Sequence, residues 1–481
     1  MPSPRAHDPL RSFALALALS ALPFGCRQGP DSVEDPASVL SRTGLSREAY
    51  FDAVDAARMR GVDDATTAAL RRMISAPGYP IDSRERAFAL LLEHEPSAIE
   101  AALANSLPRM NDVSWRRRVC QLVGEARLES MVPTLIRAWA VPVGALEVDD
   151  ERPERLAIAA IVGGDRVSAT LLATMREANP LTQANLRARC WELLMKSGDE
   201  VRLRALLAES ASTEGDAMLM DLARVSRELG VLPTTREEIL WARALCEPAR
   251  EAFLAEARAA HARMPAARRE ALELRGVPVA VAAARLRPDL LAATEPDLFA
   301  EVVARTRGGR HASPDFTGYG NGFTENPVQQ RDQLVWSDLA AMLLAMDALA
   351  DERFRRELFA LADRDLEDRT TEFGGVIGLD ASGGLALREF EPRSRASDLR
   401  YESPQALFDA LYTGLFHFHL HAQKYENTRY AGPHLGDFAF AESTRANALV
   451  FTFLRTDELG ADFYRHGRIV VDLGAAARPE G

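Results

Sequence analysis

Apolar residues recur at helical spacing from Ser46 to about Ala304. Ala87, Leu90 and Leu91, then Val119, Leu122 and Val123, mark one face of successive helices. Pro80, Pro96, Pro108, Pro133, Pro153 and Pro180 punctuate the run, because a residue with fixed φ and no N–H starts a helix or ends one. Three helix cores share a flavour: SRERAFALLL (83–92), SWRRRVCQLVG (114–124) and ANLRARCWELLM (184–195). ERLAIAAIVGG (154–164) is a looser fourth, and VPTLIRAWA (132–140) follows the second core as its partner helix. The steps between Ala87, Val119, Ala157 and Cys190 are 32, 38 and 33 residues. One helix pair of that length cannot bury its apolar face alone, so the spacing predicts stacked helical repeats over 46–304.

The pattern changes at 305–330. Five glycines and two prolines in these 26 residues predict a linker. WSDLAAMLLAMDALADERFRRELFALADRDLED (336–368) reads as one long helix or two, opened by a Ser337 or Asp338 cap. Beyond it the apolar runs shorten, and one of them, LFHFHLH, alternates. TTEFGGVIGLD, LALREFEP (385–392), LFHFHLH, NALVFTFL (447–454) and GRIVVDLG (467–474) read as strands, and SPQALFDALYTG (403–414) reads as a helix leading into the third of them. The expected architecture is multidomain: an all-α repeat region at 46–304, a linker at 305–330, an α/β (α+β) domain at 331–474 and a tail at 475–481. The repeat region resembles HEAT-type repeats, which implies a binding surface for a protein or peptide partner.

Composition narrows the function. The chain has 481 residues, 27% charged and 47% hydrophobic, which excludes wholesale disorder. Seventy acidic against 58 basic residues give a net charge of -12, and no basic stripe interrupts it, so nucleic acid is not an expected partner. At the N-terminus Arg5 and Arg11 precede the apolar run FALALALSAL (13–22), which is too short to span a bilayer, and then Gly25-Cys26. This resembles a bacterial lipoprotein signal. It implies a signal peptide over 1–26, lipidation of Cys26 as the mature N-terminus, a tether over 27–45 and a membrane-anchored place in the cell envelope. Cys120, Cys190 and Cys246 follow no disulfide or metal spacing and read as structural thiols.

Four of the nine histidines, His417, His419, His421 and His434, fall within 18 residues. Alternation along LFHFHLH sends the first three to one face of a strand, about 6.6–6.8 Å from each to the next. Two adjacent imidazoles can share a metal at about 2.0–2.1 Å, while the outer pair, about 13 Å apart, cannot do so easily. A carboxylate must join them, and Asp437 is the nearest aspartate downstream.

GLFHFH, with Glu372 ahead of Gly375-Val376-Ile377-Gly378 and with Asp437 downstream, is similar to the signature of JAMM/MPN (Mov34/JAB) zinc metalloproteases. The resemblance covers about 331–474. It implies Zn2+ held by His417, His419 and Asp437, with Glu372 as general base and hydrolysis of peptide or isopeptide bonds. His434 stands where that family has a serine. It would either hydrogen-bond the oxyanion or close the site as a fourth ligand. The register of His419 with His421 remains an alternative ligand pair. Two other readings stand beside the hydrolase. One is a non-catalytic, surface-anchored binding scaffold with a structural or degenerate metal site. The other is a cupin-like metal-binding protein, from His419-x-His421-x4-Glu426.

Overall fold

The computed structural model describes residues 33–141, 151–210, 215–306 and 325–480. Cys26 and most of the 305–330 segment lie outside them. The chain is mostly helical up to Glu367, with a mixed six-stranded sheet after it. It parts into two compact units, one through Val119 and one from Cys120.

In the first unit, Asp35, Ser46 and Asp63 accept backbone N–H groups at the starts of helices Pro36–Leu40, Arg47–Arg60 and Asp64–Ser75. The first of these falls inside the expected tether. Asp35 caps it, Pro36 fits its first turn, and buried Leu40 anchors it. Helix Ile81–His94 carries Arg84, buried and paired with Asp112 at 3.0 Å. Asp112 in turn accepts the Trp115 N–H near the start of helix Val113–Glu125, and Arg84 also reaches Ala76 O. The second unit repeats this brace. Arg187, buried in helix Ala184–Lys196, donates to Met175 O at 2.9 Å and pairs with Asp216, which caps helix Ala217–Leu229. Such a guanidinium ties the end of one helix to the start of another.

The long apolar run at 336–368 is two helices, Trp336–Ala350 and Glu352–Glu367. Asp351 breaks it by capping the second through the Phe354 N–H. Asp338 works from inside the first turn, accepting the Val335 N–H at 3.0 Å, and Ser337 is not the cap.

The sheet strands are β1 Gly374–Leu379, β2 Leu385–Glu389, β3 Phe416–His421, β4 Ala448–Arg455, β5 Glu458–Arg465 and β6 Ile469–Ala477, in the order β2-β1-β3-β4-β5-β6. All pairings are antiparallel except β3 with β4. A parallel pair needs a long crossover; here it is residues 422–447, including helix Leu435–Thr444. That helix covers one sheet face through Phe438 and Ala441 over Val450 and Tyr464. Phe416, Phe418 and Leu420 face the other way, so β3 is buried throughout. Gly375 lets β1 run close to both neighbours: a Cβ there would lie 2.0 Å from Arg388 O and 2.9 Å from the Phe418 ring.

The break at 305–330 does not part helices from sheet, since residues from Cys120 onward form one unit. Buried polar ties explain why. Arg275 and Arg465 both pair with Asp338, the latter at 2.9 and 3.0 Å, and Arg275 also donates to Asn447 Oδ1 at 2.9 Å. Trp241 donates to Tyr412 O at 2.8 Å. Among the described residues no single helix is long and apolar enough to cross a membrane. Asp338 is fully buried, so Asp338→Ala strands two buried guanidinium groups. It is expected to cost about 3–5 kcal/mol, read as a lowered urea midpoint for the unit from Cys120.

Candidate metal centre

Strand register builds the site. Gly374 pairs with His419 across β1 and β3, which sets Glu372, two residues earlier, against His421. The Leu420 N–H bonds Phe373 O at 3.0 Å and holds that alignment. His417 lies opposite Val376 instead. The crossover helix then starts beside the C-terminal end of β3. His434 takes its N-cap position, and Asp437 accepts the His434 backbone N–H at 2.6 Å. Crevices outside the carboxyl ends of strands are where α/β sheets commonly bind ligands.

The side chains converge. His419 Nε2 and His421 Nε2 lie 3.2 Å apart, and Asp437 Oδ1 is 3.3 Å from His419 Nε2. His421 Nε2 is 3.9 Å from Glu372 Oε1 and 4.0 Å from Asp437 Oδ2. Two ligands about 2.0–2.1 Å from a tetrahedral ion lie roughly 3.3–3.4 Å from each other, so the two shorter separations suit one shared cation. His421 Nδ1 is 2.7 Å from Tyr430 O. Donation there puts the proton on Nδ1 and leaves the Nε2 lone pair facing the cluster. Among the described residues two donor groups could hold a metal ion, Glu372–His419–His421 and His421–His434–Asp437, and they share His421.

Glu372, His419, His421, His434 and Asp437, all candidates from the sequence, are therefore brought together. His417 is in neither group. Its Nδ1 turns to Gly375 O at 3.2 Å, and its ring lies 4.6 Å from that of Phe440 and 6.1 Å from that of Tyr401. The expected pair of His417 with His419 thus gives way to the register of His419 with His421, because Glu372 and the crossover helix both meet the far end of β3. Glu426 is in neither group. The His434 ring stacks on His421, centroids 4.7 Å apart.

Sequence reasoning missed several supporting groups. Gln423 donates to Glu372 Oε1 at 3.1 Å and to Asp398 O at 2.9 Å, and Asn427 holds Gln423 Oε1 at 2.7 Å. His419 Nδ1, Thr452 Oγ1 and Tyr464 Oη, buried on the same sheet face, have no hydrogen-bond partner among the described residues. Alternation along NALVFTFL, paired with the histidine strand, would have found Thr452. Nothing in the sequence marks Gln423.

Burial sets the electrostatics. It pushes the Glu372 carboxyl up to about 8, with Asp437 and Asp398 adding to the rise against His419. Asp365, at the end of helix Glu352–Glu367, is pushed up to about 8 by burial and then by Glu372. Burial drives His417 and His421 down to about 3, helped by the charge of His419. For His419 burial works downward, but the charge and hydrogen bond of Asp437 outweigh it and raise its pKa. Burial lifts Asp437, yet His419 holds it below the ordinary carboxylate range. The cluster thus favours one positive charge between the carboxylates, as a proton or as a cation.

No family model matches the chain, and neither the curated proteins nor the solved structures hold a match to it.

The raised carboxyls fix a pH dependence for the metal-free protein. Above about pH 7.5 the unfolded histidines are mostly neutral, and any proton still held by the raised His419 acts in the same direction as the carboxyls. Glu372 and Asp365 keep their protons up to about pH 8 only when folded. The unfolded chain then binds fewer protons than the native one, and stability falls as pH rises. Thermal unfolding in a chelator is expected to show a Tm declining from about pH 7.5 towards 8, with a shallower decline in Glu372→Gln.

Proposed function

We propose that the chain is a zinc-dependent hydrolase of peptide or isopeptide bonds, resembling JAMM/MPN enzymes in its sheet region. The observation that carries this is the cluster of His419 Nε2, His421 Nε2 and Asp437 Oδ1, with separations of 3.2 and 3.3 Å and Glu372 Oε1 3.9 Å from His421. His419, His421 and Asp437 would be the three protein ligands. Three ligands and an open position distinguish a hydrolytic zinc site from a structural one, and such a zinc supplies Lewis acidity and a hydroxide at neutral pH.

Glu372 is within one water of the cluster, which suits a general base once a bound cation has displaced the proton that burial holds on it. It takes the proton of the attacking water as oxygen adds to the carbonyl carbon. It returns that proton to the nitrogen as the C–N bond breaks. Gln423 orients it by donating to Oε1. Asp437 is about one-fifth exposed, whereas the Glu372, His419 and His421 side chains are almost wholly buried, so the scissile bond would enter past the helix start. The two Arg–Asp braces support reading the helices as HEAT-like repeats that present a partner. The lipoprotein-like N-terminus supports export and a lipid anchor at Cys26.

One observation favours a second reading. His434 is stacked on His421 and shares a donor group with Asp437. If His434 or Glu372 completed the coordination, the site would be closed and structural, and the chain a binding scaffold.

Glu372→Gln separates the two. The hydrolase reading expects the variant to keep its zinc while cleavage of peptide or isopeptide substrates falls by about 10²–10⁴-fold. Loss of the metal would make Glu372 a ligand and favour the scaffold, and unchanged turnover would remove Glu372 from the chemistry.

A further inference from the structure

A cavity of about 590 Å³ opens in the first unit, far along the chain from the metal cluster and lined only by residues between Ser75 and Trp115. Its floor is built from a buried cation. The Arg84 side chain is 2% exposed. One guanidinium nitrogen pairs with Asp112, another with Ala76 O, and Nε has no partner. The guanidinium carbon sits 5.2 Å from the Trp115 ring centre, and the Trp115 N–H is tied to Ile74 O at 2.9 Å, so the ring is a fixed wall.

The rim is different. Asn105, Arg109 and Asn111 are exposed, line the cavity and make no side-chain hydrogen bond or ion pair among the described residues. Arg84 and Arg109 against Asp112 leave one net positive charge, in a chain whose total is -12.

We infer that this cavity binds the C-terminal end of an extended peptide, with the free carboxylate on Arg109. A guanidinium fork matches a carboxylate in two parallel hydrogen bonds. Each asparagine amide offers both donors and an acceptor, the pair of functions that a peptide group presents. Pro77, Ala102 and Met110 line the cavity and give apolar area for the last side chain. The volume falls in the range of about 300–1,000 Å³ used by small-ligand sites. Asp112 works against a phosphate dianion, which would gain from one unpaired guanidinium and meet a carboxylate beside it. This reading does not depend on the metal site.

The test is calorimetric titration of the full chain with N-acetyl tripeptides bearing each coded amino acid at the last position. Each is titrated both as free acid and as C-terminal amide, with inorganic phosphate alongside. Saturable binding of free acids is expected, at least about tenfold tighter than the matching amides, in line with one hydrogen bond to a charged group. Arg109→Ala, a change at an exposed side chain, is expected to weaken the acids by a similar factor and bring them level with the amides. Arg109→Lys is expected to fall between. No binding by any acid, equal binding of acid and amide, tighter binding of phosphate, or acid binding untouched by Arg109→Ala would each overturn the inference.

Discussion

Two imidazole nitrogens 3.2 Å apart, beside two carboxyls and shut between a sheet and a helix, form the arrangement on which the C-terminal region turns. Such a cluster is costly when nothing compensates it, since buried charges must be paired and buried polar atoms bonded. Here the compensation that fits is one positive charge. Burial drives His417 and His421 down, while the charge and hydrogen bond of Asp437 outweigh burial at His419 and raise it, so that the one positive charge falls on the atoms a metal ion would also use. The surrounding fold serves the placement. Gly375 lets β1 approach β3 and β2, the parallel step from β3 to β4 demands a crossover, and the crossover helix starts where β3 ends.

The helices contribute in a different currency. Arg84 with Asp112, and Arg187 with Asp216, use a buried guanidinium to fasten one helix end to another helix start. Asp338 goes further and gathers Arg275 and Arg465, which brings the helices after Cys120 into one unit with the sheet. Buried ion pairs of this kind specify an arrangement more than they add net stability. Removing one member is costly because it leaves a bare charge behind.

Much of this was legible in the sequence. Period-two alternation marks the histidine strand, short apolar runs mark the segment after Glu372 and the strands at 447–454 and 467–474, and helical spacing marks the cores before them. The strand β5 was missed because Gly460, Ala461 and Asp462 dilute its apolar pattern. The choice of histidine pair was also out of reach. Alternation treats His417, His419 and His421 alike, and only the pairing of Gly374 with His419 decides which of them Glu372 meets. The grouping of the helices after Cys120 with the sheet was out of reach for a related reason: composition records local structure, whereas the ties through Asp338 join residues far apart in the chain.

The central claim is that His419 and His421, not His417, form the metal-binding pair. Elemental analysis of the purified chain, after equilibration with zinc, tests it in two variants. One zinc per chain is predicted for His417→Ala, as in the parent, and none for His421→Ala. Zinc lost from His417→Ala but kept in His421→Ala would contradict the account and move the site to the other end of the strand.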